Sequence, residues 1–144
     1  MNTAPLPELV LVEDNLDDEV MSLMGITRSG IPCRVTVRRD GVDALDHLLG
    51  AHEPPPALIV LDFQLPKLNG LEVLTRLRSN DRTRLIPVVM VSGTNSGNSM
   101  SECYRNGANS CVTKPLDSKE YIDRLAGIAH YWLTVNQPLE MMSL

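Results

Sequence analysis

An α/β fold, a (βα)5 unit with helices wound on both sides of a parallel five-stranded sheet, is predicted by three features of the sequence. Five short apolar runs recur along the chain. Stretches with apolar residues at three- and four-residue spacing separate them. Four of the five runs close on a charged or hydroxyl-bearing residue. Apolar runs with little alternation are what a parallel sheet covered on both faces requires.

The elements follow in order. Leu9 to Val12 is the first strand, ending in Glu13-Asp14. Leu16, Val20, Leu23, Met24 and Thr27 then repeat with helical period. Cys33 to Val37 alternates and reads as a second strand, and Asp40 is an N-cap for a helix carrying Val42, Leu45, Leu48 and Leu49. Leu58 to Leu61 is the third strand, ending in Asp62. Asn69-Gly70 opens a helix with Leu71, Leu74 and Leu77. Ile86 to Val91 is the fourth strand, ending in Ser92, and a short helix with Met100, Cys103 and Tyr104 is closed by Gly107. Cys111 to Thr113 is the fifth strand, ending in Lys114. Asp117 with Glu120 three residues later starts the last helix. Right-handed crossovers through these helices give the flavodoxin-like strand order 2-1-3-4-5. The expected organisation is an N-terminal extension over 1–7, one domain over 8–135, and a tail over 136–144.

Composition narrows the function. The 144 residues make about one domain, and 43% hydrophobic with 22% charged residues is an ordinary globular mix. A net charge of −5 argues against nucleic acid as a partner, since phosphate binding needs a basic face. The cluster Arg76, Arg78, Arg82 and Arg84 reads as a solvated helix face. Cys33, Cys103 and Cys111 lack metal-ligand spacing and read as reduced thiols of a cytoplasmic protein. No apolar run approaches the ~18 residues of a membrane span.

In doubly wound sheets ligands bind at the carboxyl ends of the strands. Those ends here carry Glu13, Asp14, Asp62, Ser92 and Lys114. Converging carboxylates raise one another's pKa unless a cation offsets them, and a few carboxylates plus water suit Mg2+. With a lysine for charge and a serine hydroxyl for position, the set can receive a phosphoryl group on a nucleophilic carboxylate.

Val12-Glu13-Asp14-Asn15, the stretch from Asp62 to Gly70, Val91-Ser92-Gly93 and Thr113-Lys114-Pro115, in that order, resemble the receiver domain of two-component response regulators. The resemblance implies that Asp62 accepts a phosphoryl group from a sensor histidine kinase. It implies Mg2+ held by Glu13, Asp14, Asp62 and the backbone carbonyl of Gln64. Ser92 and Lys114 would contact the phosphoryl oxygens, and the peptide before Pro115 would be cis. The family's aromatic switch position is Cys111 here, so the readout through Ser92 and Cys111 cannot use a swinging ring. The positions that tune dephosphorylation are Gln64 and Thr94. Leu16 to Glu19, Arg39 to Leu45 and His130 to Leu133 look closest to single-domain regulators of phytochrome-type histidine kinases. The expected function is a stand-alone response regulator, signalling by protein contact or onward phosphotransfer. The alternative is a receiver-fold scaffold that works without phosphorylation. A haloacid-dehalogenase-type phosphatase would want a second acid where Gln64 stands, and 3% aromatic residues do not suit a flavin carrier.

The last helix carries one more expectation. At 100° per residue its apolar positions fill an arc of roughly 180°, against about 100° for a core-facing stripe. Tyr121, Ile128, Trp132 and Val135 are the surplus edge, extended by Leu139, Met141, Met142 and Leu144 of the tail. An apolar strip of this kind marks an interface, and a two-fold homodimer through the last helix is predicted.

Overall fold

The computed structural model describes residues 5–50, 54–93 and 97–138. Strands β1 (Glu8–Val12), β2 (Arg34–Arg38), β3 (Leu58–Asp62), β4 (Val88–Ser92) and β5 (Ser110–Thr113) alternate with helices α1 (Leu16–Arg28), α2 (Gly41–Leu49), α3 (Gly70–Arg78), α4 (Gly97–Arg105) and α5 (Ser118–His130). All four strand pairings are parallel, in the order β2-β1-β3-β4-β5. The expected fold and strand order are therefore observed. Thr94 and the tail from Leu139 lie outside the described residues.

The strands read as unbroken apolar runs because neighbouring residues feed two different cores. Leu9 and Leu11 point to one face with Leu58, Val60, Val89 and Val91; Val10 and Val12 point to the other with Ile59, Leu61, Val88 and Met90. The first face is covered by Ile26 of α1 and by Tyr121, Leu125, Ile128 and Ala129 of α5. The second is covered by Ala44, Leu45 and Leu48 of α2, Val73, Leu74 and Leu77 of α3, and Cys103 of α4. At about 25 cal/mol per Å2 of apolar area buried, these two cores are the main favourable contribution to folding.

The caps fall where side-chain chemistry places them. Asn15, Asp40, Asn69 and Asp117 each accept a hydrogen bond from the backbone N–H three residues on, satisfying a donor that the helix cannot. At Asn69 the bond is reciprocated by Glu72.

Three expectations are corrected. In α1 the buried residues are Glu19, Ser22, Gly25 and Ile26, while Leu16, Val20 and Met24 of the apolar stripe are exposed. The reason is a close helix–helix contact: a Cβ on Gly25 would lie 2.5 Å from the Ile122 carbonyl oxygen of α5. No side chain fits at position 25, and Ser22 on the same face is also small. The surplus edge of the last helix is also reassigned. Tyr121 and Ile128 are core residues, because α5 packs against both the sheet and α1 and so needs a wide apolar arc. Tyr121 sends its ring into the core, and its hydroxyl accepts a 3.3 Å bond from Ser22 Oγ. Trp132 is partly buried, and Val135, 58% exposed, stays on the surface with Tyr131 on a π-helical turn spanning Tyr131–Val135. Arg78 does not belong to a solvated face. Its guanidinium donates to the carbonyls of Thr83, Arg84, Ile86 and Gly107 and to Asn109 Oδ1, stitching the end of α3 to the loops beside β4 and β5.

No helix among the described residues is long and apolar enough to cross a membrane.

Candidate phosphoacceptor site

The site forms where β1, β3, β4 and β5 end. Parallel pairing sets Asp62 beside Val91 and Ser92 beside Thr113. The backbone N–H of Phe63 donates to the Val91 carbonyl at 2.9 Å, and that of Lys114 donates to the Ser92 carbonyl at 2.7 Å. The strand ends are thus tied together one residue at a time, and Asp62, Ser92 and Lys114 follow from the tie.

Among the described residues, Glu13, Asp14 and Asp62 each offer a carboxylate oxygen, all within 4.8 Å of one another. Glu13 and Asp62 are 2% and 5% exposed, while Asp14 faces solvent. Lys114 Nζ lies 3.1 Å from Glu13 Oε1, 3.2 Å from Asp62 Oδ2 and 2.7 Å from Asp18 Oδ2. Gln64 follows in the loop, its N–H donating to Asp62 Oδ1 at 3.2 Å. Ser92 is buried at the end of β4. An open cleft above these groups is lined by Asp14, Asp18, Asp62, Gln64, Gly93 and Lys114.

The electrostatics explain what such a cluster wants. Burial, then the hydrogen bond and charge of Asp62, push the Glu13 carboxyl up to about 8. Burial alone would lower the Lys114 ammonium, but the Asp18 hydrogen bond and the charges of Asp62 and Glu13 outweigh it and hold it above its usual value. Oxygen-only donors, two of them shielded from water and crowded by like charge, fit a small hard dication. A consequence can be measured without any ligand. Glu13 binds its proton more tightly folded than unfolded, so its contribution is fully present below pH 4.5 and is lost as pH rises through about 8. Urea titrations of the metal-free protein should show stability falling across that window, and Glu13→Gln should flatten the fall; an equal slope in both proteins refutes the assignment.

Two residues behave differently from expectation. The described residues contain no cis peptide, so Lys114–Pro115 is trans, the default state of a peptide bond. Asp18 was not among the anticipated site residues, yet it makes the shortest contact to Lys114. Its traces in the sequence were its place in the Leu16 to Glu19 segment and in the acidic turn after Glu13-Asp14, where three acids at a helix start also have an ordinary dipole role. Cys111 sits on β5 against Cys103 of α4, and its N–H donates to the Tyr104 hydroxyl at 3.2 Å. Burial and the neighbouring Cys103 thiol push its thiol up to about 12.

An aspartate at a strand end, with two further acids and a paired lysine on this five-stranded sheet, places the chain among receiver domains, which are signalling proteins rather than classical enzymes. The chain belongs to the response regulator receiver domain family, whose model matches residues 9–126. It is 32% identical over 139 residues to the response regulator Rcp1 of Synechocystis, covering 93% of this chain and 95% of Rcp1. It is 34% identical over 132 residues to the probable methanogenesis regulatory protein FilR2 of Methanothrix harundinacea, covering 90% of this chain and 85% of FilR2. The solved Mn(2+)-bound form of Rcp1 superimposes with a TM-score of 0.86 over 93% of this chain and 99% of that one, at 28% identity. The phosphorylated cyanobacterial phytochrome response regulator RcpA does so with a TM-score of 0.87 over 95% of this chain and all of RcpA, at 30% identity.

Proposed function

We propose that this receiver accepts a phosphoryl group on Asp62 from the phosphohistidine of a sensor kinase in the cytoplasm, and signals through contacts that the modification changes or by passing the group on. The observation that carries the proposal is the meeting of Lys114 Nζ with Asp62 Oδ2 at 3.2 Å inside a pocket whose two other acids leave room for a cation. Glu13, Asp14, Asp62 and the Gln64 backbone carbonyl would hold Mg2+, which supplies charge to offset that of the transferring group. A carboxylate oxygen of Asp62 attacks phosphorus in line. The new P–O bond forms as the P–N bond breaks, and the electron pair leaves with the imidazole. Lys114 donates to the phosphoryl oxygens, and the Ser92 hydroxyl turns toward them from the end of β4. Movement of Ser92, with Cys111 in place of a ring on β5, is the proposed switch. The likeness to RcpA supports a phytochrome-type kinase as donor.

Acetyl phosphate with Mg2+ should add the mass of one phosphoryl group to the protein, and Asp62→Asn should add none. A wild-type chain that stays unmodified favours the phosphorylation-independent scaffold instead.

The same reading includes a homodimer through the end of the last helix, keeping Val135 and the edge of Trp132 from the predicted strip and adding the exposed Tyr131. Tyr131 and Val135 are exposed, and Tyr131 packs edge-on against Trp132 with ring centroids 5.0 Å apart, which supports it. Light scattering should give twice the chain mass, and Val135→Asp should halve it; an unchanged mass removes this face from the interface.

A further inference from the structure

We propose that Asp18 is the positioning residue that keeps Lys114 over the phosphoacceptor while a cation shares the pocket. The inference rests on the reading of Asp62 as phosphoacceptor. A lysine ammonium has three N–H donors, and the structure gives Lys114 three acceptors: Asp18 at 2.7 Å, Glu13 at 3.1 Å and Asp62 at 3.2 Å. Two of these belong to the carboxylate triad that fits a cation. Asp18 stands outside the triad and is the nearest of the three.

Asp18 is itself held in place. Its N–H donates to Asn15 Oδ1 at 2.9 Å, and the N–H of Asn15 donates to Glu13 Oε2 at 3.2 Å. Glu13, Asn15, Asp18 and Lys114 therefore close a ring of hydrogen bonds that joins the first turn of α1 to the end of β5. The Asp18 side chain is more exposed than those of Glu13 and Asp62, so the ammonium is slung between the floor of the pocket and its mouth.

The charges give the ring its purpose. A dication held by Glu13, Asp14 and Asp62 would share two carboxylates with Lys114 and would repel the ammonium directly. An acceptor outside the triad is then needed to keep Nζ in reach of the phosphoryl oxygens. Asp18 is that acceptor, and its charge offsets the repulsion. Removing it leaves the cation site intact and lets the lysine swing toward solvent.

The test uses the full chain and the initial rate of phosphoryl mass gain from acetyl phosphate at saturating Mg2+. Asp18→Asn keeps the shape and removes the charge; it should slow the reaction on the order of 10-fold, with the Mg2+ dissociation constant held within about threefold. Asp17→Asn, in the same helical turn, removes the same dipole interaction and should react like wild type. In Asp18→Asn/Lys114→Ala the rate should equal that of Lys114→Ala alone, since a residue acting through Lys114 has nothing further to lose. With three acceptors, Lys114 should give a slowly exchanging ammonium resonance in 15N spectra of the wild type, and that resonance should disappear in Asp18→Asn without any phosphoryl donor. A wild-type rate in Asp18→Asn, or a full additional loss in the double variant, overturns the inference alone. A wild-type protein that takes up no phosphoryl group overturns the receiver reading and this inference with it.

Discussion

Replacing Lys114 by alanine should separate the stability of the pocket from its chemistry. Among the described residues the Lys114 ammonium is the positive charge paired with Glu13 and Asp62, at 3.1 and 3.2 Å, and both carboxylates are buried. Removing one partner of a buried ion pair costs about 3 to 5 kcal/mol. Protonation of Glu13, whose carboxyl already sits near 8, absorbs part of that. The net loss at neutral pH is therefore about 2 kcal/mol, smaller at pH 6 and larger at pH 9. Mg2+ should restore most of it and should bind more tightly than to wild type, because a competing cation has gone. Phosphoryl uptake should not recover: loss of a donor to the transferring oxygens costs on the order of 100-fold. Denaturant titration with and without Mg2+, beside the acetyl phosphate assay, reads both halves. Restoration of uptake by Mg2+ alone would show that the lysine serves only to balance charge.

Gly70→Ala should be a severely damaging small substitution, because the space a methyl needs there is filled by backbone. A Cβ there would lie 2.1 Å from the backbone oxygen of Asp62 and 2.9 Å from the Cα of Phe63. The obstacle is backbone on both counts, so no side chain can turn aside. The N–H of Gly70 also donates to the Phe63 carbonyl at 3.0 Å, which clamps the start of α3 to the strand end that carries Asp62. Overpacking of this kind costs about 3 kcal/mol or more, which is a large share of the ~5–15 kcal/mol that holds a domain together. The melting temperature should fall by roughly 10 °C, and phosphoryl uptake should drop with it because Asp62 is displaced. Gly127→Ala is the control. Nothing lies within 4 Å of a Cβ at that position on α5, so the gain in helix propensity should raise stability by about 0.5 to 1 kcal/mol. If both substitutions behave alike, close packing of α3 on β3 is not what Gly70 provides.

The strands, their order and the carboxylate at the end of β3 are legible in the sequence. Residues 58 to 61 are apolar without a break because both faces of β3 are buried, and a polar side chain is tolerated only where the strand leaves the sheet, at Asp62. Asn15, Asp40, Asn69 and Asp117 likewise act within three residues of themselves, so the chain's own order announces them. Glu13, Asp14, Asp62, Ser92 and Lys114 could be named because each closes or follows a strand, and strand ends in this fold share one rim.

Tertiary structure decided what depends on partners distant in sequence. Periodicity announced α1 but not its inward face: Leu16, Val20 and Met24 are exposed, and the face turned inward is the one that allows close approach to Ile122 of α5. The wide apolar arc of α5 could have been half surface; Tyr121 and Ile128 are interior because two neighbours, not one, cover that helix. Arg78 became a ligand for four backbone carbonyls that no local pattern connects to it. Asp18 joined Lys114 across 96 positions of chain. Local rules reveal which residues form an element and where it starts. They are silent on which side of a helix meets its neighbour, since that follows from the distance between two backbones brought together only by folding.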